Sequence, residues 1–279
     1  MKSMNSTVKV GLQLSHAGRR GSSKGLVDHQ RPLEVGGWQT VAPSALPYRE
    51  GVPVPLALDE VGMARIKQAY VSTAERAYRC GFDLVEFHCC HEDLLDQFLS
   101  PKANTRTDRY GGSLPDRMRY PLEVIQAVRS AWPQDKPLGV RINQSYGMSF
   151  EEMIAFAKAL LPIGVDFICS SKGGWVTEEP RPFGDGEQAQ RAKAIKDATG
   201  LPVRAVGMIV RPEVAEHIVA TGQADFVALA RAFQDDPRWG LHAGEALGVP
   251  MHWVDQLCTA SPSMWPGSRI VRPPTGRDK

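Results

Sequence analysis

The chain has 279 residues, of which 42% are hydrophobic and 23% charged, with a formal net charge of +2. That is ordinary globular composition, enough for one large α/β domain. The near-neutral balance argues against nucleic acid as a partner. No apolar run reaches the roughly 20 residues of a membrane helix, and the N-terminus has no signal-peptide apolar core. Five irregularly spaced Cys argue against a disulfide framework and for reduced thiols in the cytoplasm.

Residues 9–15, KVGLQLS, are a compact strand candidate, followed by the basic, Gly-punctuated loop HAGRRG. Residues 22–58 carry many Pro and Gly and no helical period. They predict an ordered excursion with a small hairpin around residues 38–41, anchored by Trp38, Val41 and Leu46. From Asp59 the apolar period becomes helical and runs to Cys80, where Gly81 stops it. A strand over 83–88 ends on His88, and His91 comes three residues later. Ser113-Leu-Pro-Asp116 is a helix start, with an apolar stripe that runs to Trp132-Pro133.

LGVRIN (138–143) is the next strand, and Ser149-Phe-Glu-Glu152 is a capping box with a helix behind it. VDFICSS (165–171) reads as a strand that breaks at Gly173-Gly174. A helix over 187–199 ends at Gly200, a strand over 201–206 at Gly207, and a helix over 212–220 at Gly222. A strand over 225–230 leads into a short helix from Arg231. The tail from about residue 251 is irregular.

Strand and helix therefore alternate about six times with short connections, which predicts one parallel α/β domain over 1–279. Nearly every strand ends on a polar or Gly residue: Gln13 and His16, His88 and His91, Arg141 and Asn143, Ser170-Ser171, Gly207, Arg231. A TIM (β/α)8-type barrel collects such ends at one mouth. No GxGxxG follows the first strand, which counts against a Rossmann sheet.

Gly207 and Ala230-Arg231 follow the last two strands, where barrels hold phosphate; the plain alternative is a turn Gly and a surface Arg. Arg141 sits within an apolar strand and needs a partner, either a carboxylate such as Glu86 or an anionic ligand. His88 and His91 could donate hydrogen bonds to a ligand. Together with Cys89 and Cys90 they are four metal-ligand types in four consecutive residues. Four adjacent residues do not converge on one tetrahedral ion, so no metal is expected.

Taken together, GLQLSHAGR (11–19), HCCHEDLLDQFLSPKANTRTDRYGGSLPDR (88–117) and the later VRIN, AVGMI and ALARAF resemble the Old Yellow Enzyme family of FMN-dependent ene-reductases. The likeness is closer to its thermophilic-like bacterial branch and covers nearly the whole chain. It implies a TIM barrel with FMN at its mouth. Gln13 and Arg141 would contact the flavin ring, and Gly207, Ala230 and Arg231 would bind its phosphate. His88 and His91 would hydrogen-bond the carbonyl oxygen of an α,β-unsaturated substrate, while NAD(P)H supplies hydride to the flavin.

Two departures are visible. After the second His the family carries Gly-Tyr, the Tyr being the proton donor; here Glu92 and Asp93 stand there. An ionised Asp93 cannot donate a proton unless burial raises its pKa. The likeness also places the chain's first strand at the family's third, leaving about six β/α units. The exposed sheet edges would then need cover from the tail, the 22–58 excursion or a second copy in a homo-oligomer. Two other readings follow from these departures: a flavin-free binding or scaffold protein, and a redox-neutral isomerase using Glu92 or Asp93 as base.

Overall fold

A computed structural model describes residues 7–25, 28, 31–171, 186 and 188–271. Helix α1 (Glu60–Arg79) starts where the Asp59 carboxylate accepts the Gly62 N–H at 2.7 Å. It buries Met63, Ile66, Tyr70, Ala74 and Ala77, one face at helical spacing. Helix α3 (Leu114–Ala131) is capped by Ser113 and carries Pro115 in its first turn. Helix α4 (Phe150–Ala159) forms the predicted capping box between Ser149 and Glu152.

Six strands form one parallel sheet in the order β1 (Gly11–Leu14), β4 (Leu84–Cys89), β5 (Leu138–Ile142), β6 (Phe167–Ser170), β7 (Val203–Val206), β8 (Phe226–Ala228). The spatial order is the chain order. A doubly wound sheet reverses direction at a switch point, whereas a barrel winds one way, so this order is barrel-like. Among the described residues β1 and β8 do not pair with each other, and the sheet stays open between them.

The two faces of the sheet differ sharply. Val85, Phe87, Val140, Ile168, Val203 and Ala205 are fully buried in the core shared with the helices. The alternate positions face the other way and carry most of the sheet's polar side chains, with Gly139 and Phe167 also among these positions. Gln13 lies opposite Glu86, His88 opposite Arg141, Arg141 opposite Cys169, and Cys169 opposite Arg204.

Glu86 on β4 accepts from Gln13 on β1 at 2.7 Å and ion-pairs with Arg204 on β7. In a flat sheet β4 and β7 would stand about 14 Å apart. The direct ion pair requires the sheet to curl around its polar face. Gly139 serves the same interior: a Cβ there would lie 2.1 Å from the Phe167 ring, which fills the space over it.

The excursion differs from its prediction. Instead of a hairpin around residues 38–41, β2 (Val41–Ala42) pairs in parallel with β3 (Leu56–Ala57), 15 residues later in register. The predicted break at Gly173-Gly174 lies outside the described residues. Helix α5 (Ala189–Thr199), helix α6 (Pro212–Ala220) and the short α7 (Arg231–Asp235) stand where periodicity put them. Helix α8 (Trp239–Ala246) follows α7 without having been expected, and the irregular tail contains the short α9 (Ser268–Val271). Among the described residues no helix is long and apolar enough to cross a membrane.

Candidate active site at the strand ends

The site is built around the end of β4. His88 points to the polar face and is 9% exposed. Burial, together with the neighbouring His91 and Arg141, lowers its pKa to about 3. His88 is therefore a neutral imidazole with one N–H to donate. Its ring lies 5.0 Å from that of His91, centroid to centroid. His91 Nε2 lies 2.9 Å from Ser171 Oγ at the end of β6, and Arg141 Nη2 donates to the same oxygen at 3.3 Å.

His91 and Glu92 reach these positions through consecutive left-handed conformations, φ 58° and 61°. Each costs on the order of 1–2 kcal/mol in a non-Gly residue. The resemblance implies Gly at position 92, the residue that takes such a φ freely. Here Glu92 is held there by helix α2 (Leu94–Leu99), which follows at once. Its backbone N–H donates to Asp96 Oδ2 at 2.7 Å, and its carbonyl accepts from Gln97 Nε2 at 2.5 Å. Arg20 donates to the His91 carbonyl.

Asp93 precedes α2 and turns toward β1. Ser15 Oγ donates to its carboxylate, Arg20 lies 3.7 Å away and His88 Nε2 3.8 Å away. Burial raises the Asp93 pKa, and Ser15 and Arg20 oppose the rise. Glu92 is likewise raised by burial, with Arg19, 3.8 Å away, opposing it. The two carboxylates are thus each matched by an arginine from the loop after β1, so they do not confront the His pair as a bare double negative charge.

Arg141 does not pair with Glu86, the plain alternative in the sequence. Glu86 is taken by Gln13 and Arg204, while Arg141 contacts Ser171. Arg141 Nε and Asn143 Oδ1 are buried without a hydrogen-bond partner among the described residues. Such groups are costly unless a ligand meets them. Gln13 lies on the same face, with its amide donating to Glu86.

Gly207 and Arg231 stand at the ends of β7 and β8. Gly207 has φ 116° and Met208 φ 52°, so the β7 loop turns sharply back; Arg231 Nη2 reaches Met208 Sδ at 3.9 Å, joining the two loops. Ala230 sits between them at the start of α7. The residues fit an elongated polar group: orphaned polar atoms toward β5, and the Arg231 guanidinium beside the β7 loop.

Sequence reasoning overlooked Ser15, Arg20, Asp96 and Gln97. Ser15 and Arg20 lie inside or beside the recognised GLQLSHAGR stretch. Asp96 and Gln97 had a readable signal, a carboxylate and an amide within the otherwise apolar LLDQFL run, and both are buried.

A parallel, curled β/α sheet with a polar inner face and a His pair at its strand ends defines a barrel-type enzyme site. The match to known proteins is specific. Residues 4–247 match the model of the NADH:flavin oxidoreductase / NADH oxidase family, and the chain belongs to that family, whose members use FMN and NAD(P)H.

It is 35% identical over 244 residues to an NADPH dehydrogenase from Geobacillus thermodenitrificans, covering 86% of this chain and 67% of that protein. It is 37% identical over 247 residues to an NADH oxidase from Thermoanaerobacter brockii, covering 85% of this chain and 36% of the relative. Among solved structures, morphinone reductase superposes with a TM-score of 0.69 at 28% identity, covering 89% of this chain and 68% of that one. A 2-naphthoyl-CoA reductase superposes with a TM-score of 0.75 at 25% identity, over 89% of this chain and 39% of that chain. The chain thus spans about two thirds of the first relative and well under half of the larger ones.

Proposed function

We propose that this chain carries the ene-reductase site of an NAD(P)H-dependent flavoprotein that reduces the activated C=C bond of α,β-unsaturated carbonyl compounds. The observation that carries the reading is the neutral His88 facing His91 beside Arg141 at the end of a barrel-type strand. Bound FMN, reduced by NAD(P)H, would supply hydride to the substrate's β-carbon. Gln13 and Arg141 would hold its ring, and Gly207, Ala230 and Arg231 its phosphate, with Arg231 offering a guanidinium fork to the phosphate oxygens. His88 and His91 would donate hydrogen bonds to the carbonyl oxygen, drawing electron density from the β-carbon. We assign to Asp93, which stands where the resemblance implies the Tyr proton donor, the role of passing a proton to the α-carbon.

The visible spectrum of the purified protein, before and after FMN addition, tests the reading. Flavin absorbance is expected; colourless protein that takes up no FMN would sink it and favour the flavin-free binding protein. Arg231→Ala should weaken FMN affinity, and unchanged affinity would remove its phosphate role. Replacing His88 and His91 together by Ala should lower cyclohexenone turnover by about 100-fold, the scale of losing oxyanion donors, with FMN retained. Equal turnover would refute the clamp. Redox-neutral turnover without NAD(P)H would transfer the chemistry to Glu92 or Asp93 acting as a base.

A further inference from the structure

The strand-end turn places a cysteine where neither hydride transfer nor carbonyl polarisation uses one. Cys89 points into the helix-packed core, but Cys90 turns back with the two histidines. Its Sγ lies 3.6 Å from His88 Nδ1, 3.5 Å from His88 Nε2 and 3.5 Å from His91 Nδ1. One donor atom from each of His88, Cys90 and His91 falls within 4.8 Å of the others. The four-residue run that sequence adjacency was expected to scatter is folded into a three-ligand cluster. The successive left-handed residues His91 and Glu92 curl the chain back on itself.

We propose that His88, Cys90 and His91 form a binding site for a zinc-class divalent metal ion, with the fourth position open to water or an exogenous ligand. Metal–sulfur and metal–nitrogen bonds of about 2.3 and 2.0–2.1 Å set sulfur and nitrogen about 3.5 Å apart at a tetrahedral centre. The Cys90–His91 separation already has that value. The outer shell is also in place. His91 Nε2 meets Ser171 Oγ at 2.9 Å, and metal binding at Nδ1 would select the tautomer in which Nε2–H donates to that oxygen. Cys90 Sγ is nearly equidistant from the two His88 nitrogens and so lies over the ring face; ligation requires the His88 ring to turn so that one nitrogen lone pair meets the ion. Ser15 and Arg20 hold Asp93 nearby, so it takes no ligand role.

Binding forms metal–sulfur and metal–nitrogen bonds and releases the thiol proton to solvent. The ion would occupy the ring nitrogens that the carbonyl clamp uses, so metal and carbonyl substrate exclude one another. Neither the ligand set nor its geometry depends on flavin, and a failed flavin assay would leave the metal site standing.

Cobalt(II) is the probe, titrated into tag-free, chelator-treated protein in which the exposed Cys80 and the half-exposed Cys258 are replaced by Ser. The expected result is one ion per chain, with tetrahedral d–d bands and a thiolate-to-cobalt charge-transfer band. Cys90→Ser should lose the charge-transfer band. His91→Asn, chosen because Asn tolerates the left-handed backbone, should lose stoichiometric binding. Ser171→Ala should weaken binding by about 10–100-fold while keeping the band. No stoichiometric uptake by the parent protein, or an undiminished band in Cys90→Ser, would overturn the site.

Discussion

Arg117→Ala is expected to destabilise the protein by about 3 kcal/mol, the lower end of the cost of breaking a buried ion pair. Arg117 is 4% exposed. Its guanidinium donates to the Leu99 carbonyl at the end of α2, to the Gly112 carbonyl at 3.2 Å, and to Glu152 Oε1 at 2.6 Å. Glu152 is itself half of the α4 capping box. One side chain therefore ties the end of α2, the turn before α3 and the start of α4. Its removal takes a donor from the Leu99 and Gly112 carbonyls and loosens the carboxylate that caps α4. Because the Glu152 side chain is 29% exposed, water can recover part of its charge, which keeps the estimate at the low end. Urea unfolding should show a lower midpoint with an unchanged slope. A loss below about 1 kcal/mol, the size of a surface pair, would show that Arg117 does not join these elements.

That prediction exposes how the most distinctive stretch of sequence should be read. Residues 100–117 hold Ser, Asn, Arg, Asp and Tyr at close spacing, and such side chains after a strand suggest chemistry. The structure spends them on the chain itself. Ser100 donates to the Tyr146 carbonyl, and Asn104 Nδ2 donates to the carbonyls of Phe98 and Tyr110, both at 2.8 Å. Arg106 donates to the Pro43 and Leu58 carbonyls and pairs with Asp108. A long irregular connection has no ladder to satisfy its backbone, so side chains must do it.

The motif thus marks lineage through a structural lock, and the side chains we propose for the chemistry precede it. The βα alternation was legible because each helix has one buried face, as in α1, and each inner strand has a polar alternate face. Helix α2 was hidden because all six of its residues are buried, which leaves no period to read. The β2–β3 pair was hidden because two-residue strands 15 residues apart leave no pattern. The Cys90 cluster was hidden for another reason: only the left-handed turn, not residue spacing, brings those three side chains together.

Asp96→Asn should remove the part of the pH dependence of stability that Asp96 contributes between about 4 and 7, a range in which this one group weakens the parent protein as pH rises. Asp96 is 1% exposed, and burial pushes its pKa up to about 7 against the hydrogen bonds from Ser145 and the Glu92 N–H. In the unfolded chain the same group titrates near 3.9. Between those values the native state holds the proton that the unfolded state has lost, so stability falls as pH rises. For this one group the fall amounts to at most about 4 kcal/mol, and it is complete once the pH passes the folded value.

Asn at this position accepts the Glu92 N–H through Oδ1 and presents its amide to Ser145 Oγ, keeping both contacts without an ionisable proton. The variant should match the parent near pH 4 and exceed it near pH 8. Asp96→Ala should instead lose stability at every pH, because the left-handed Glu92 loses its anchor. Urea midpoints of the three proteins across this range decide the matter. Parallel pH profiles for parent and Asp96→Asn would show that Asp96 is ionised throughout. The left-handed turn would then rest on a buried carboxylate, charged at every pH, rather than on one that takes up a proton near neutrality.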